Sequence, residues 1–190
     1  MPFKMIENEF KIMLTKEQYE KLLAKYAFAT LTQVNHYYDT DDLEMSSRHV
    51  TVRVRELGGK FFLQMKLPTG RDFSRVELSR ELDALPDVLS AELLKSLSNE
   101  DCPELKRLGS LSTTRSVCKF DGGEIDLDRS EYFGKVDHEV EIEFTDENAA
   151  RTVLDEITSA LDIKPNSNVC TGQIRRFLEE YQKLTSAQGS

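Results

Sequence analysis

The chain has 190 residues, a formal net charge of -9 and a hydrophobic content of 39%, enough material for one domain with a sizeable core. The acidic balance argues against a surface that coats DNA or RNA, because such binding rests on many lysine and arginine contacts to phosphate. It leaves room for a buried basic site that grips one small anion. No apolar stretch approaches the length needed to cross a bilayer, and Met1-Pro2-Phe3-Lys4 lacks the long apolar segment of a secretory signal. Cys102, Cys118 and Cys170 are odd in number and widely spaced, with neither a CxxC pair nor zinc-ligand spacing. Free thiols and a cytoplasmic location are the expectation.

Glu7 to Ile12 alternates charged and apolar residues and reads as a strand. Thr15 offers a helix N-cap, with Gln18 completing a capping box, and Tyr19, Leu22, Leu23 and Tyr26 follow at helical spacing. Strands are predicted over Asn35–Tyr38, Val50–Glu56, Lys60–Leu67 and Ser74–Leu82. Gly58-Gly59 marks a hairpin between the second and third of these, and Thr69-Gly70-Arg71-Asp72 a turn after the third. The leucine spacing predicts a helix over Leu85–Leu97, with Pro86 in its first turn. Cys102–Leu111 reads as a mixed connection, and strands return over Ser112–Phe120, Glu124–Arg129 and Asp137–Phe144, with Asp121-Gly122-Gly123 as a hairpin turn. Helices are predicted over Ala149–Leu161 and Gln173–Leu184. Glycine-rich turns favour antiparallel pairing over βαβ units. The fold class expected is α+β, one domain over 1–184 and a short tail over 185–190, with a curved sheet that must close or be covered to protect its edges.

Alternate strand residues share a face, and here the faces are charged. Glu7, Glu9 and Lys11 project together, as do Glu139, Glu141 and Glu143. Arg53 groups with Arg55, Gln64 with Lys66, Glu77 with Glu81, and Asp126 with Asp128, while Arg115 lies with Val117 and Lys119. Two readings fit. Each polar face could simply meet solvent. Alternatively, a tightly curved sheet gathers these faces around one lumen, where carboxylates are hard ligands for Mg²⁺ or Mn²⁺ and arginine and lysine grip phosphate oxygens.

The ordered landmarks favour the second reading. Glu7-Asn8-Glu9-Phe10-Lys11 fits an ExExK signature, and it is followed by His36-Tyr37-Tyr38-Asp39-Thr40, Arg53-x-Arg55, Lys66, Glu77, Glu81, Arg115, Asp126-Leu127-Asp128 and Glu139-Val140-Glu141-Ile142-Glu143. Over roughly Ile6 to Phe177 this set resembles the CYTH family, the class IV adenylyl cyclase and thiamine triphosphatase group, and most of all its small bacterial YjbK-like branch. The resemblance implies a closed or nearly closed eight-stranded antiparallel β-barrel, a triphosphate tunnel, with flanking helices and often a homodimer. It implies Mg²⁺ or Mn²⁺ and a small triphosphate-containing substrate, with inorganic triphosphate hydrolysis expected. Thiamine triphosphate hydrolysis, ATP cyclisation and non-catalytic polyphosphate or nucleotide binding are the alternatives, beside a salt-bridged barrel without a ligand.

By that resemblance Glu7, Glu9, Glu139, Glu141 and Glu143 hold metal, and Lys11, Arg53, Arg55, Lys66 and Arg115 contact the phosphate chain. Lys11, Glu77 and Asp128 are the catalytic candidates, the two carboxylates orienting basic residues or the attacking water. His36, His49 and Cys118 show no triad spacing, so no covalent nucleophile is assigned. One departure stands out. Family members carry a lysine shortly before the final helix, where this chain has Gln173 or, in a second alignment, Asn168. Neither can supply the charge-assisted hydrogen bond of a lysine.

Overall fold

The alternating N-terminal segment forms strand β1 (Phe3–Leu14) and gives way to helix α1 (Lys16–Lys25) at the expected capping box. Thr15 Oγ1 accepts the Gln18 N–H, and the Gln18 side chain accepts the Thr15 N–H. This computed structural model describes residues 3–71, 73–163 and 172–188. Asp72, Asn166, Ser167, Asn168 and Cys170 lie outside the described residues. The remaining elements are β2 (Ala29–Asp39), α2 (Glu44–Ser47), β3 (Thr51–Leu57), β4 (Lys60–Pro68), β5 (Ser74–Leu82), β6 (Val88–Leu89), α3 (Ala91–Ser98), β7 (Leu105–Phe120), β8 (Gly123–Tyr132), β9 (Lys135–Phe144), α4 (Glu147–Ala160) and α5 (Gln173–Gln188).

The strands are hydrogen-bonded in the order β2-β3-β4-β5-β1-β9-β8-β7-β6, and β2 also pairs with β7. That last pairing closes the sheet into an eight-stranded antiparallel β-barrel, the short β6 being an appendage to β7. Closure removes exposed edges, as the alternating strands require.

The chain divides into two compact units. The first is Met1–Ile6, Gln33–Ser112 and Gln173–Ser190. Its apolar core joins the aliphatic faces of β3, β4 and β5 to α3, with Val54, Leu63, Leu89, Leu94 and Leu105 fully buried. Gly58 and Gly59 both adopt positive φ, +58° and +76°, which lets the two-residue β3–β4 turn follow the strand twist. The second unit is Glu7–Thr32 and Thr113–Gly172. Here Ile12, Ile125, Leu127, Val140, Ile142, Ala150 and Ile157 are buried, with α4 packed on β9 and α1 on β8 and β9.

Several boundaries differ from the sequence reading. Residues 85–90 are not helical. Val88 and Leu89 pair with Lys106 and Leu105, and Ser90 accepts the Leu93 N–H to start α3 at Ala91. Burying Leu89 against Leu105 outweighs the helical spacing of the leucines. The segment expected to be a mixed connection contains the start of β7 at Leu105, β1 starts at Phe3, and β2 starts at Ala29. Helix α5 continues beyond Leu184 to Gln188, so the described part of the expected tail is helical. The unanticipated α2 is organised by Asp39, whose carboxylate accepts from the N–H groups of Thr40, Met45 and Ser46.

The β7–β8 turn leaves no space at Gly123. A Cβ there would lie 2.2 Å from the Glu143 carbonyl oxygen and 2.6 Å from the Phe120 ring. Gly123→Ala must therefore spread β8 from β9, with an expected loss of about 2–3 kcal/mol. Urea unfolding measures this loss, and a variant as stable as the parent would contradict the close approach.

Candidate functional site

The second unit collects the acidic residues by strand register. In the β1–β9 pair, Glu9 faces Glu143, Lys11 faces Glu141 and Met13 faces Glu139. In the β8–β9 pair, Glu124 faces Glu143, Asp126 faces Glu141 and Asp128 faces Glu139. The alternation of three neighbouring strands thus stacks carboxylates in rows. Among the described residues, three groupings bring one carboxylate oxygen from each member within 4.8 Å of the others: Glu7, Glu9 and Glu143; Glu124, Asp126 and Glu143; and Asp128, Glu139 and Glu141.

Two cations of the same unit reach into this cluster. Lys11 Nζ lies 2.6 Å from Glu141 and 3.1 Å from Glu9. Arg115 donates through Nε and Nη2 to the two oxygens of Asp128, at 2.8 and 2.7 Å, and through Nη2 to Glu141 at 2.7 Å. Its Nη1 bonds Asp126 and lies 3.7 Å from Glu143. Burial opposes the charge of both cations, but the surrounding carboxylates prevail and raise both pKa values well above the ordinary range. The two remain charged at any physiological pH.

Burial acts on the acids as well. Burial, followed by the charges of Glu7 and Glu141, pushes Glu143 up to about 8. Burial also pushes Asp126 up to about 7 against the opposing pull of Arg115, and raises Asp128. Asp126 Oδ1 and Glu9 Oε2 are buried without a hydrogen-bond partner. Each unpartnered oxygen belongs to a residue of a carboxylate grouping, Glu9 with Glu7 and Glu143 and Asp126 with Glu124 and Glu143. Gathered carboxylate oxygens are what a hard divalent cation neutralises, so the donor set fits Mg²⁺ or Mn²⁺.

The first unit carries a different polar face. Arg53 Nε donates to Gln64 Oε1 at 2.8 Å, and Gln64 Nε2 donates to Glu77 Oε1 at 2.8 Å. Arg53 Nη2 and Lys66 Nζ each lie 3.7 Å from Glu77 Oε2. Arg55 Nε donates to Asn35 Oδ1 at 3.1 Å. Gln173, the first residue of α5, accepts from Tyr37 at 2.9 Å and from Asn35 at 3.4 Å. Glu81 shares the strand face of Glu77, yet it is exposed and pairs with Lys60 at 3.0 Å. His36 alternates to the other face of β2, beside Ser110 and Glu56, and burial lowers its pKa.

Within the second unit the fold brings together Glu7, Glu9, Lys11, Arg115, Asp128, Glu139, Glu141 and Glu143. Within the first it brings together Arg53, Lys66 and Glu77, and sets Arg55 on Asn35. Arg115, expected on phosphate, is held by carboxylates. The sequence reading passed over Glu124 and Asp126 as ligands, although Glu124-x-Asp126-x-Asp128 alternates onto one face. It also assigned no role to Gln64, Asn35 or Tyr37, whose positions relative to the arginines depend on register across strands.

The raised carboxylates make stability depend on pH. Their folded pKa values, about 7 for Asp126 and about 8 for Glu143, exceed the ordinary 3.8 and 4.5. Their contribution is full below the ordinary values and is lost as pH rises through the folded ones. Metal-free protein is expected to melt at lower temperature at pH 8.5 than at pH 6, with Mn²⁺ or Mg²⁺ closing the gap and Glu143→Gln flattening it. Thermal unfolding in chelator checks this, and a metal-free melting temperature that rises with pH would count against the strained cluster.

The CYTH domain pattern matches residues 5–177. A Bacillus subtilis (strain 168) protein named "Putative triphosphatase YjbK" is 29% identical over 188 residues, covering 94% of this chain and 97% of that protein. A crystal structure described as a putative adenylate cyclase from Bacillus halodurans matches with a TM-score of 0.72 and 29% identity, covering 92% of this chain and 98% of that one. A Hippeastrum protein, described as a putative adenylyl cyclase with a dominant triphosphatase activity, matches in fold with a TM-score of 0.69 at 22% identity, covering 92% of this chain and 95% of its own. With the match spanning nearly its whole length, the chain belongs to the CYTH domain family.

Proposed function

We propose that the protein is a metal-dependent hydrolase of inorganic triphosphate, forming diphosphate and phosphate. The observation that carries this reading is the buried acidic cluster with its unpartnered oxygens on Asp126 and Glu9, in a family to which proteins named as triphosphatases belong. Glu7, Glu9, Glu139, Glu141 and Glu143 are the ligands for Mg²⁺ or Mn²⁺. When bound, the metal neutralises phosphoryl oxygens and favours deprotonation of water.

The chain's own groups do the rest. In the second unit, Lys11 offers an ammonium to phosphate oxygens. Asp128 fixes the Arg115 guanidinium through two parallel bonds. Asp126 and Glu141 hold the outer nitrogens of the same guanidinium, and were those carboxylates to turn to a bound cation, part of the guanidinium would be freed for phosphate. In the first unit, Arg53, Arg55 and Lys66 grip phosphate oxygens, while Glu77 orients Arg53 and Lys66. Water attacks the terminal phosphorus, the bridging P–O bond breaks and diphosphate leaves. The positive groups stabilise charge spreading over the phosphoryl oxygens.

Gln173 favours a second reading. It stands at the start of α5, where the family resemblance expects a lysine, and its oxygen accepts from Tyr37 and Asn35. A site one positive charge short can bind a polyphosphate without turning it over.

Phosphate release from inorganic triphosphate, with Mg²⁺ and separately with Mn²⁺, separates the two. Multiple metal-dependent turnovers are expected, falling at least about 100-fold in Glu141→Gln. Binding without turnover would favour the second reading. With ATP as substrate, cyclic AMP plus diphosphate in place of phosphate would identify a cyclase.

A further inference from the structure

Gln64 sits where a carboxylate–guanidinium pair would otherwise form. It is buried, 7% exposed, and lies on β4 opposite Arg53 of β3. Its carboxamide bonds both neighbours at 2.8 Å, accepting from Arg53 Nε and donating to Glu77 Oε1. Glu77 consequently stays 3.7 Å from the Arg53 Nη2 instead of closing on it, and stays 3.7 Å from Lys66 as well. Arg53 and Glu77 are themselves only 7% exposed, a setting in which a direct bidentate pair would be the default partner for each.

An amide acceptor does something a carboxylate cannot. It fixes the orientation of a guanidinium through Nε without cancelling its charge. The contrast lies in the same chain, where Arg115 is held by Asp126, Asp128 and Glu141. Arg55 repeats the amide pattern, its Nε donating to Asn35 on the neighbouring strand.

We infer that Gln64 is a positioning residue that spaces Glu77 from Arg53 and so preserves the Arg53 guanidinium for an incoming phosphate group. The inference rests on the phosphate-binding reading above and adds the residue that keeps the basic face of the first unit basic. Gln64→Met keeps the approximate volume and removes both hydrogen bonds, so Glu77 is expected to close on Arg53. Gln64→Glu keeps the shape and adds a charge that pairs Arg53 directly. In either variant phosphate must displace a carboxylate before it reaches the arginine.

The test is titration of the metal-loaded protein with inorganic triphosphate, alongside KM and kcat where turnover occurs. Gln64→Met and Gln64→Glu are each expected to weaken binding and raise KM about tenfold, with kcat changing much less, while the melting temperature of the methionine variant stays near that of the parent. Adding Glu77→Gln to Gln64→Met removes the competing carboxylate and is expected to bring binding back up to the level of Glu77→Gln alone. That rescue would not follow if Gln64 merely filled space. Parent-like affinity in both single variants, or no recovery in the double variant, overturns the role of Gln64 alone. Failure of the parent protein to bind triphosphate overturns the phosphate-binding reading with it.

Discussion

Carboxylates buried side by side need a counter-charge, and most of the chemistry of this chain follows from how that need is met. In the second unit, alternation on β1, β8 and β9 delivers acids in rows, and the antiparallel register stacks Glu9, Glu143 and Glu124, then Glu141 and Asp126, then Glu139 and Asp128. Lys11 and Arg115 neutralise the middle of this array. In the row containing Glu143, burial and then the charges of Glu7 and Glu141 push its carboxyl up to about 8. Desolvation on this scale is tolerated because the apolar backs of the same strands, Ile125, Leu127, Val140 and Ile142, are themselves buried. One strand therefore supplies core on one face and a charge-hungry cluster on the other.

The backbone enforces this arrangement at particular places. A one-residue slip of β9 against β8 would exchange Glu139, Glu141 and Glu143 for Val140, Ile142 and Phe144 on the acidic face. The β7–β8 turn guards the register from one end, because Gly123 approaches the Glu143 carbonyl too closely for any side chain. In the first unit, Asp39 plays a comparable part. Its carboxylate gathers three N–H groups from the chain leaving β2, which explains structurally why an Asp-Thr pair ends that strand.

Much of this was legible in the sequence, and the limits have a physical pattern. Period-two alternation announced the charged faces, and the Gly-Gly turns announced two hairpins, because both signals are local. The ExExK and Glu-x-Glu-x-Glu segments placed the principal acids. Local signals failed where long-range pairing decided the outcome. The leucines at 85–97 carry helical spacing, yet Val88 and Leu89 pair with β7. For Arg115 the family resemblance implies a phosphate contact, and only the register shows in addition that Asp126, Asp128 and Glu141 surround it. Gln64, Asn35 and Tyr37 carry no charge to mark them, so their contacts with Arg53, Arg55 and Gln173 emerge only when strands are set side by side.

The arginines show that the acceptor matters as much as the cation. A guanidinium bonded to carboxylates is oriented and neutralised together, so an anion must compete for it. A guanidinium bonded through Nε to an amide is oriented while retaining its charge, and an anion needs only to arrive. Arg115 belongs to the first kind, and Arg53 is kept toward the second by the width of one carboxamide. Asp126 and Glu141 both hold Arg115, so under the proposed function a cation that engaged either carboxylate would loosen its hold on the guanidinium. On that proposal the basic group would become available only once the acids around it had found another partner, and metal and phosphate binding would be coupled through a side chain that need not touch the metal.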